Sequence, residues 1–110
     1  MAYDEELATR IRDLVASEPA LTEKKMFGGL AFLVGGNMAV AASGQGGIMV
    51  RVDPKESEAL VASTPAYPME MRGKQMPGWL RVATDDVSSD TALAEWVERG
   101  VGYARTLPAK

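Results

Sequence analysis

The 110-residue chain carries 15 acidic and 12 basic side chains, for a net charge of −3, with 46% hydrophobic and 25% charged residues. A single soluble α+β-sized domain over residues 1–110 fits that length and composition, and the acidic balance argues against a dedicated nucleic-acid binder, which needs a concentrated basic surface. Cysteine and histidine are both absent; disulfides, thiolate nucleophiles, imidazole bases and Cys/His zinc sites are thereby excluded, and any metal would need oxygen ligands.

The opening Met1-Ala2-Tyr3-Asp4-Glu5-Glu6 is acidic and lacks an apolar signal core, and no run approaches the roughly 18 apolar residues of a membrane span. A cytoplasmic protein without membrane attachment is expected. From Asp4 to about Ser17, Leu7, Ile11, Leu14 and Val15 recur at helical spacing, with Asp4 as N-cap and Glu5 and Glu6 favourably placed in the first turn. Glu6 and Arg10, four apart, are expected to form a weak solvated pair. Glu18-Pro19 ends this helix.

Thr22 to Phe27, Leu30 to Val34 and Met38 to Ala42 are short apolar or alternating runs separated by Gly28-Gly29 and Gly35-Gly36-Asn37, the punctuation of an antiparallel meander. Phe27, Gly28 and Gly29 are read as structural, the glycine pair being a bend or bulge. Leu30, Phe32 and Val34 alternate against Ala31 and Leu33, so both sheet faces are apolar, and the second face is expected to be buried against another copy of the chain. Ser43-Gly44-Gln45-Gly46-Gly47 leads to a fourth strand, Ile48 to Val52. Because strands flank it on both sides, it reads as a hairpin loop and not a phosphate cradle.

Asp53-Pro54-Lys55-Glu56 combines an N-cap, a proline at the first helical position and a glutamate at the third, a structural signal for a short helix to about Ala62. Ser63 to Gly78 holds three prolines and three methionines; Met69 to Arg72 is expected to be an edge strand, Gly73 to Gly78 a loop, and Trp79 to Val82 a strand with Leu80 and Val82 inward. Asp85, Asp86 and Asp90 lack the spacing of a calcium loop and read as a loop with a helix cap. The closing helix, about Asp90 to Leu107, has an apolar stripe through Leu93, Trp96, Val97, Val101, Ala104 and Leu107, an expected Glu95–Arg99 pair outside, and Gly100 and Gly102 suggesting close packing or a bend.

No catalytic residue, cofactor or metal site is assigned. Of Lys24 and Lys25, alternation turns one inward relative to the other; a partly buried lysine could serve as a base, whereas the plainer reading is an exposed edge. Arg51, Arg72, Lys74 and Arg81 come from neighbouring elements and either converge on a carboxylate or phosphate or stand as separate surface charges. Met69, Met71 and Met76 either offer an adaptable partner surface or fill the core. The candidate ligand or partner surface is therefore Lys25, Met26, Arg51, Met71, Arg72, Lys74, Met76 and Trp79, with Phe27, Gly28, Gly29, Asp53, Pro54 and Trp96 structural.

Lys25-Met26-Phe27-Gly28-Gly29 after an opening helix, the hairpin with Met38-Ala39, the strand Val50-Arg51-Val52-Asp53, Gly78-Trp79, and a closing helix with Trp96 and Tyr103-Ala104 together resemble the TfoX/Sxy N-terminal domain family. The resemblance spans nearly the whole chain, and Met-Phe-Gly-Gly is its most specific part. It implies a two-layer α+β sandwich of order α-β-β-β-α-β-β-α, similar to secretion-chaperone-like domains. Name-giving members regulate natural competence in bacteria and carry a further C-terminal helical domain, so this chain is expected to be a stand-alone single-domain member. At Gly78 it departs from the aromatic that often precedes the tryptophan. The expected role is a non-enzymatic regulatory or protein-interaction module, a homodimer with a possible protein partner. The alternative is a small-anion binder or enzyme using the Arg/Lys cluster.

Overall fold

The computed structural model describes residues 3–26, 28–71 and 73–109, with the backbone alone at Met71. Phe27 and Arg72, both singled out in the sequence, lie outside the described residues. In chain order the elements are α1 (Glu5–Leu14), β1 (Leu21–Met26), β2 (Gly29–Val34), β3 (Asn37–Ala42), β4 (Ile48–Arg51), α2 (Pro54–Ser63), β5 (Tyr67–Met71), β6 (Lys74–Val82), a 3-10 turn (Thr84–Val87) and α3 (Asp90–Arg105). The fourth strand read from the residues therefore stands ahead of the second helix. All six strands form one antiparallel sheet in the order β1-β2-β3-β4-β6-β5. Such an arrangement is the expected α+β architecture, with helices on one face of an antiparallel sheet.

The alternation seen in the sequence builds the main core. Leu30, Phe32 and Val34 of β2, Val40 and Ala42 of β3, Ile48 and Val50 of β4, and Leu80 and Val82 of β6 all turn to the helical face. Leu7, Ala8 and Ile11 of α1 and Leu93, Trp96, Val97, Val101 and Ala104 of α3 meet them there, following the spacing of three and four that gives a helix one apolar stripe. Phe32 and Ile11 are fully buried. The amphipathic α1 lies against α3 and β3, while α2, which has no buried residue, leans on β6 through half-buried Leu60 and Val61.

Caps fall largely where side-chain chemistry puts them. Asp4 Oδ1 accepts from Leu7 N at 3.1 Å, and Asp53 Oδ1 accepts from Lys55 N at 2.9 Å with Pro54 opening α2. For α3 the cap is Ser89, one residue ahead of Asp90, and its Oγ accepts from Ala92 N at 3.1 Å. Asp90 occupies the first turn instead, where its charge favours the helix N-terminus.

Three local expectations are corrected. Gly73 to Gly78 is not a loop, since β6 begins at Lys74 and pairs with β5 from Met71↔Lys74 onward. The proline is tolerated because β4 ends at Arg51↔Trp79, so Pro77 faces no partner on that side, and the register with β5 shifts between Pro68 and Glu70. Gly78 keeps its backbone bonded, donating to Ser57 Oγ at 2.8 Å and accepting from Val52 N at 2.8 Å. Second, Arg10 does not pair with Glu6. It reaches the start of α3, donating to Asp90 Oδ1 at 3.1 Å and to the Ser88 carbonyl at 3.3 Å, two acceptors in place of one. Third, Arg99 forms no ion pair with Glu95 among the described residues; its guanidinium carbon lies 4.6 Å from the Trp96 ring centroid, where the ring face attracts a cation.

Two glutamates tie the helices to the rest of the fold. Arg12 of α1 grips Glu23 of β1 with bonds of 2.6 and 2.9 Å, and Arg105 at the end of α3 holds Glu18 in the α1–β1 connection, its Nε at 3.1 Å. The arginine hydrogen bonds hold both carboxyls below the ordinary glutamate range, outweighing the burial that pushes them up. A depressed folded-state pKa adds stability that is complete above the unfolded value of about 4.3 and is lost as pH falls through the lowered folded values. The Glu18→Gln/Glu23→Gln double variant should therefore lose less stability than wild type between neutral pH and about pH 3, as read from denaturation midpoints. Glu18 should account for more of the difference, since its side chain is 9% exposed against 33% for Glu23, and solvent screening weakens the more open pair.

Candidate functional site

The face of the sheet opposite the helices carries a second apolar layer. Ala31, Met38, Ala41 and Met49 are buried there, although no helix contributes to their cluster among the described residues. What covers them is the fringe formed by half-buried Met26, Leu33, Met69 and Trp79 on surrounding strands. Long unbranched methionines can lie flat over alanines, so the centre of this face is dry without a third layer. The expectation that the second face needs another copy for its burial is thus narrowed: its centre is already buried, and the fringe is what remains open.

Inside the fringe is a cavity of about 640 Å³. Ala41 and Met49 lie on its lining, with Met26 contributed by β1 and Tyr67, Pro68 and Met69 by β5. Tyr67 is 47% exposed, one of two large apolar side chains so open among the described residues. The polar lining is Arg81, Ser43, Gln45 and Glu70.

Arg81 reaches this face because it is out of phase with Leu80 and Val82 on β6. Register places it between Met49 on β4 and Tyr67 on β5. Its Nη2 donates to Ser43 Oγ at 2.6 Å, and no carboxylate lies within ion-pair distance of it among the described residues. Ser43, at the start of the β3–β4 loop, is only 6% exposed. Its Oγ also accepts from Gln45 N at 3.1 Å, the side-chain-to-backbone bond that shapes such turns.

The sequence-derived residues are distributed differently. Arg51 sits opposite Trp79, its guanidinium carbon 5.1 Å from that ring centroid and 5.8 Å from the ring of Tyr103. Two aromatic faces hold it in place. Lys74 is exposed at the opposite end of β6 from Val82, paired with Met71, so the register sets it away from Arg51. Lys24 and Lys25 are both exposed on edge strand β1, where charged side chains discourage pairing with another chain. The half-buried lysine weighed from alternation does not occur. Met26 joins the second apolar layer and Met69 does too, whereas Met76 lines a separate groove of about 370 Å³ between α2 and β6 with Trp79 and Val61. Asp53 and Pro54 cap α2, and Trp96 is in the main core.

Ser43, Met49 and Tyr67 were absent from the sequence-derived surface. Alternation could have indicated Met49 and Arg81, since both oppose the inward valines and leucine on their strands. Ser43 depends on a loop closing over the sheet, and no periodic signal marks that.

The sequence profile described as the TfoX N-terminal domain matches residues 13–104. No curated protein matches the chain.

Proposed function

The chain belongs to the TfoX N-terminal domain family, and we propose that it is a non-enzymatic cytoplasmic regulatory module that works by holding a partner on the uncovered face of its sheet. The observation that carries this reading is the second apolar layer with its half-buried fringe and open cavity, on the one broad face that no helix packs against among the described residues. The absence of histidine and cysteine from the sequence favours binding over catalysis. No described helix is long and apolar enough to cross a membrane, which accords with a partner met in solution.

The partner we propose is a second copy, seated fringe to fringe about a two-fold axis. Methionine side chains adapt their shape, and a two-fold contact asks one patch to complement itself. Since the cavity lies inside the fringe, a second copy would roof it without filling it. Light scattering at micromolar concentration should give about twice 11.8 kDa, and Tyr67→Glu, a change at a largely exposed side chain, should return the mass to that of one chain. A single-chain mass for wild type across the micromolar range would remove the second copy.

A further inference from the structure

We infer that the cavity on the uncovered face is a binding site for a small molecule with an apolar body and a single carboxylate, the carboxylate being held by Arg81 and Ser43. The inference rests on that face being the working surface but not on a second copy occupying it.

The hydrogen-bond inventory of the two residues is the starting point. A serine hydroxyl has two lone pairs and one proton. At Ser43 the lone pairs accept from Arg81 Nη2 and from Gln45 N, which leaves the proton to be donated, and no hydrogen bond among the described residues takes it. Ser43 is more than nine-tenths buried and borders the cavity. Arg81 has five N–H donors, of which one is satisfied by Ser43, and no acid pairs with it among the described residues. The cavity thus presents adjacent donors, one of them positively charged, with no acceptor other than Ser43 Oγ bonded to them among the described residues. A buried donor left unmade is costly, and an oxyanion would satisfy both residues.

The remaining lining selects among oxyanions. Met26, Met49, Met69 and Tyr67 supply an adaptable apolar wall beside the donors, suited to a hydrocarbon or aromatic body. Glu70 borders the same cavity, so the one arginine stands against one carboxylate of the protein. A doubly charged phosphate would be left poorly neutralised, whereas a monoanion asks less. The volume of about 640 Å³ lies within the range typical of small-molecule sites.

Calorimetric titration of the full chain with octanoate, octan-1-ol and inorganic phosphate tests the assignment. Octanoate should bind, with octan-1-ol and phosphate each at least about tenfold weaker, because the first lacks the charge and the second the apolar body. Arg81→Gln should weaken octanoate by about tenfold or more and Ser43→Ala by several-fold, while Glu70→Gln, which removes a carboxylate from the lining, should tighten it. Arg51→Gln, a change at a side chain stacked on Trp79 and Tyr103, should leave octanoate binding unaltered. Should Arg81→Gln fail to fold, the comparison of octanoate with octan-1-ol on the wild-type chain gives the same answer. A chain that is monomeric by light scattering yet binds octanoate retains this site and removes the second copy. Absence of octanoate binding at millimolar concentration, equal affinity for octan-1-ol, or an unchanged affinity in folded Arg81→Gln would overturn the assignment, whatever the mass.

Discussion

Replacing Gly100 with alanine is expected to destabilise the protein by about 1–3 kcal/mol, although the same change at Gly102 should stabilise it by up to about 1 kcal/mol. The two glycines lie two residues apart in α3, and helix propensity alone favours alanine at both. Their surroundings differ. A Cβ at Gly100 would run into the Ala39 carbonyl oxygen and lie 3.0 Å from the Ala39 carbonyl carbon and 3.2 Å from Val50 Cγ1. Backbone of a central strand cannot step aside as a flexible side chain can. At Gly102 nothing lies within 4 Å of such a carbon. The close approach of α3 to β3 is therefore set at Gly100, and through it the depth at which Trp96, Val97 and Val101 enter the core. Thermal unfolding of both variants should give melting temperatures on opposite sides of wild type, the Gly100→Ala shift being at least several degrees for a domain of this size. Equal shifts of the same sign would remove the close-contact explanation.

How much of this was readable in the sequence depends on whether a feature is local and periodic or set by distant chain. Helix starts at Asp4 and Asp53 rest on side chains bonding to backbone two or three residues away, and the sequence places them correctly. Alternation in β2, β4 and β6 assigns the main core because each strand crosses a single helix-covered face; in β3, where strict alternation groups Met38 with Val40 and Ala42, the register shift opposite Phe32 and Leu33 sends Met38 to the other face and brings Ala39 into the core. By contrast, Arg10 is 80 residues from Asp90 and Ser43 is 38 from Arg81. Those pairings follow from the order in which strands and helices come together, and local spacing offered Glu6 or a separate surface charge instead. Pro77-Gly78 shows the same limit from the other side. Both residues are strand breakers in isolation, and only the early end of β4 makes their place in β6 tolerable. The candidate site depends on such non-local facts almost entirely, which is why the sequence favoured Arg51 and Lys74 over the pairing of Arg81 with Ser43.

Gly29→Ala is expected to cost about 1–3 kcal/mol and to impair the cavity, whereas Gly28→Ala should cost about 1–2 kcal/mol and leave the cavity intact. The sequence presents these glycines as one pair, but they serve different needs. Gly28 has φ +75° with nothing within 4 Å of a built Cβ, so an L side chain there meets backbone strain and no neighbour. Gly29 is the first residue of β2, and its Cβ would strike the Ala42 carbonyl oxygen and lie 3.1 Å from Gly44 N. The contact sits at the Leu30↔Ala42 end of the β2–β3 pairing, directly before Ser43. To make room, β3 or the β3–β4 loop must move, and the loop carries the hydroxyl that Arg81 holds at 2.6 Å. Denaturant unfolding should then show losses of comparable size for the two variants. Octanoate titration should separate them, with affinity kept in Gly28→Ala and weakened in Gly29→Ala. Loss of affinity in Gly28→Ala at unchanged Gly29→Ala binding would mean that the turn, and not the crossing of β2 with the Ser43 loop, shapes this wall of the cavity.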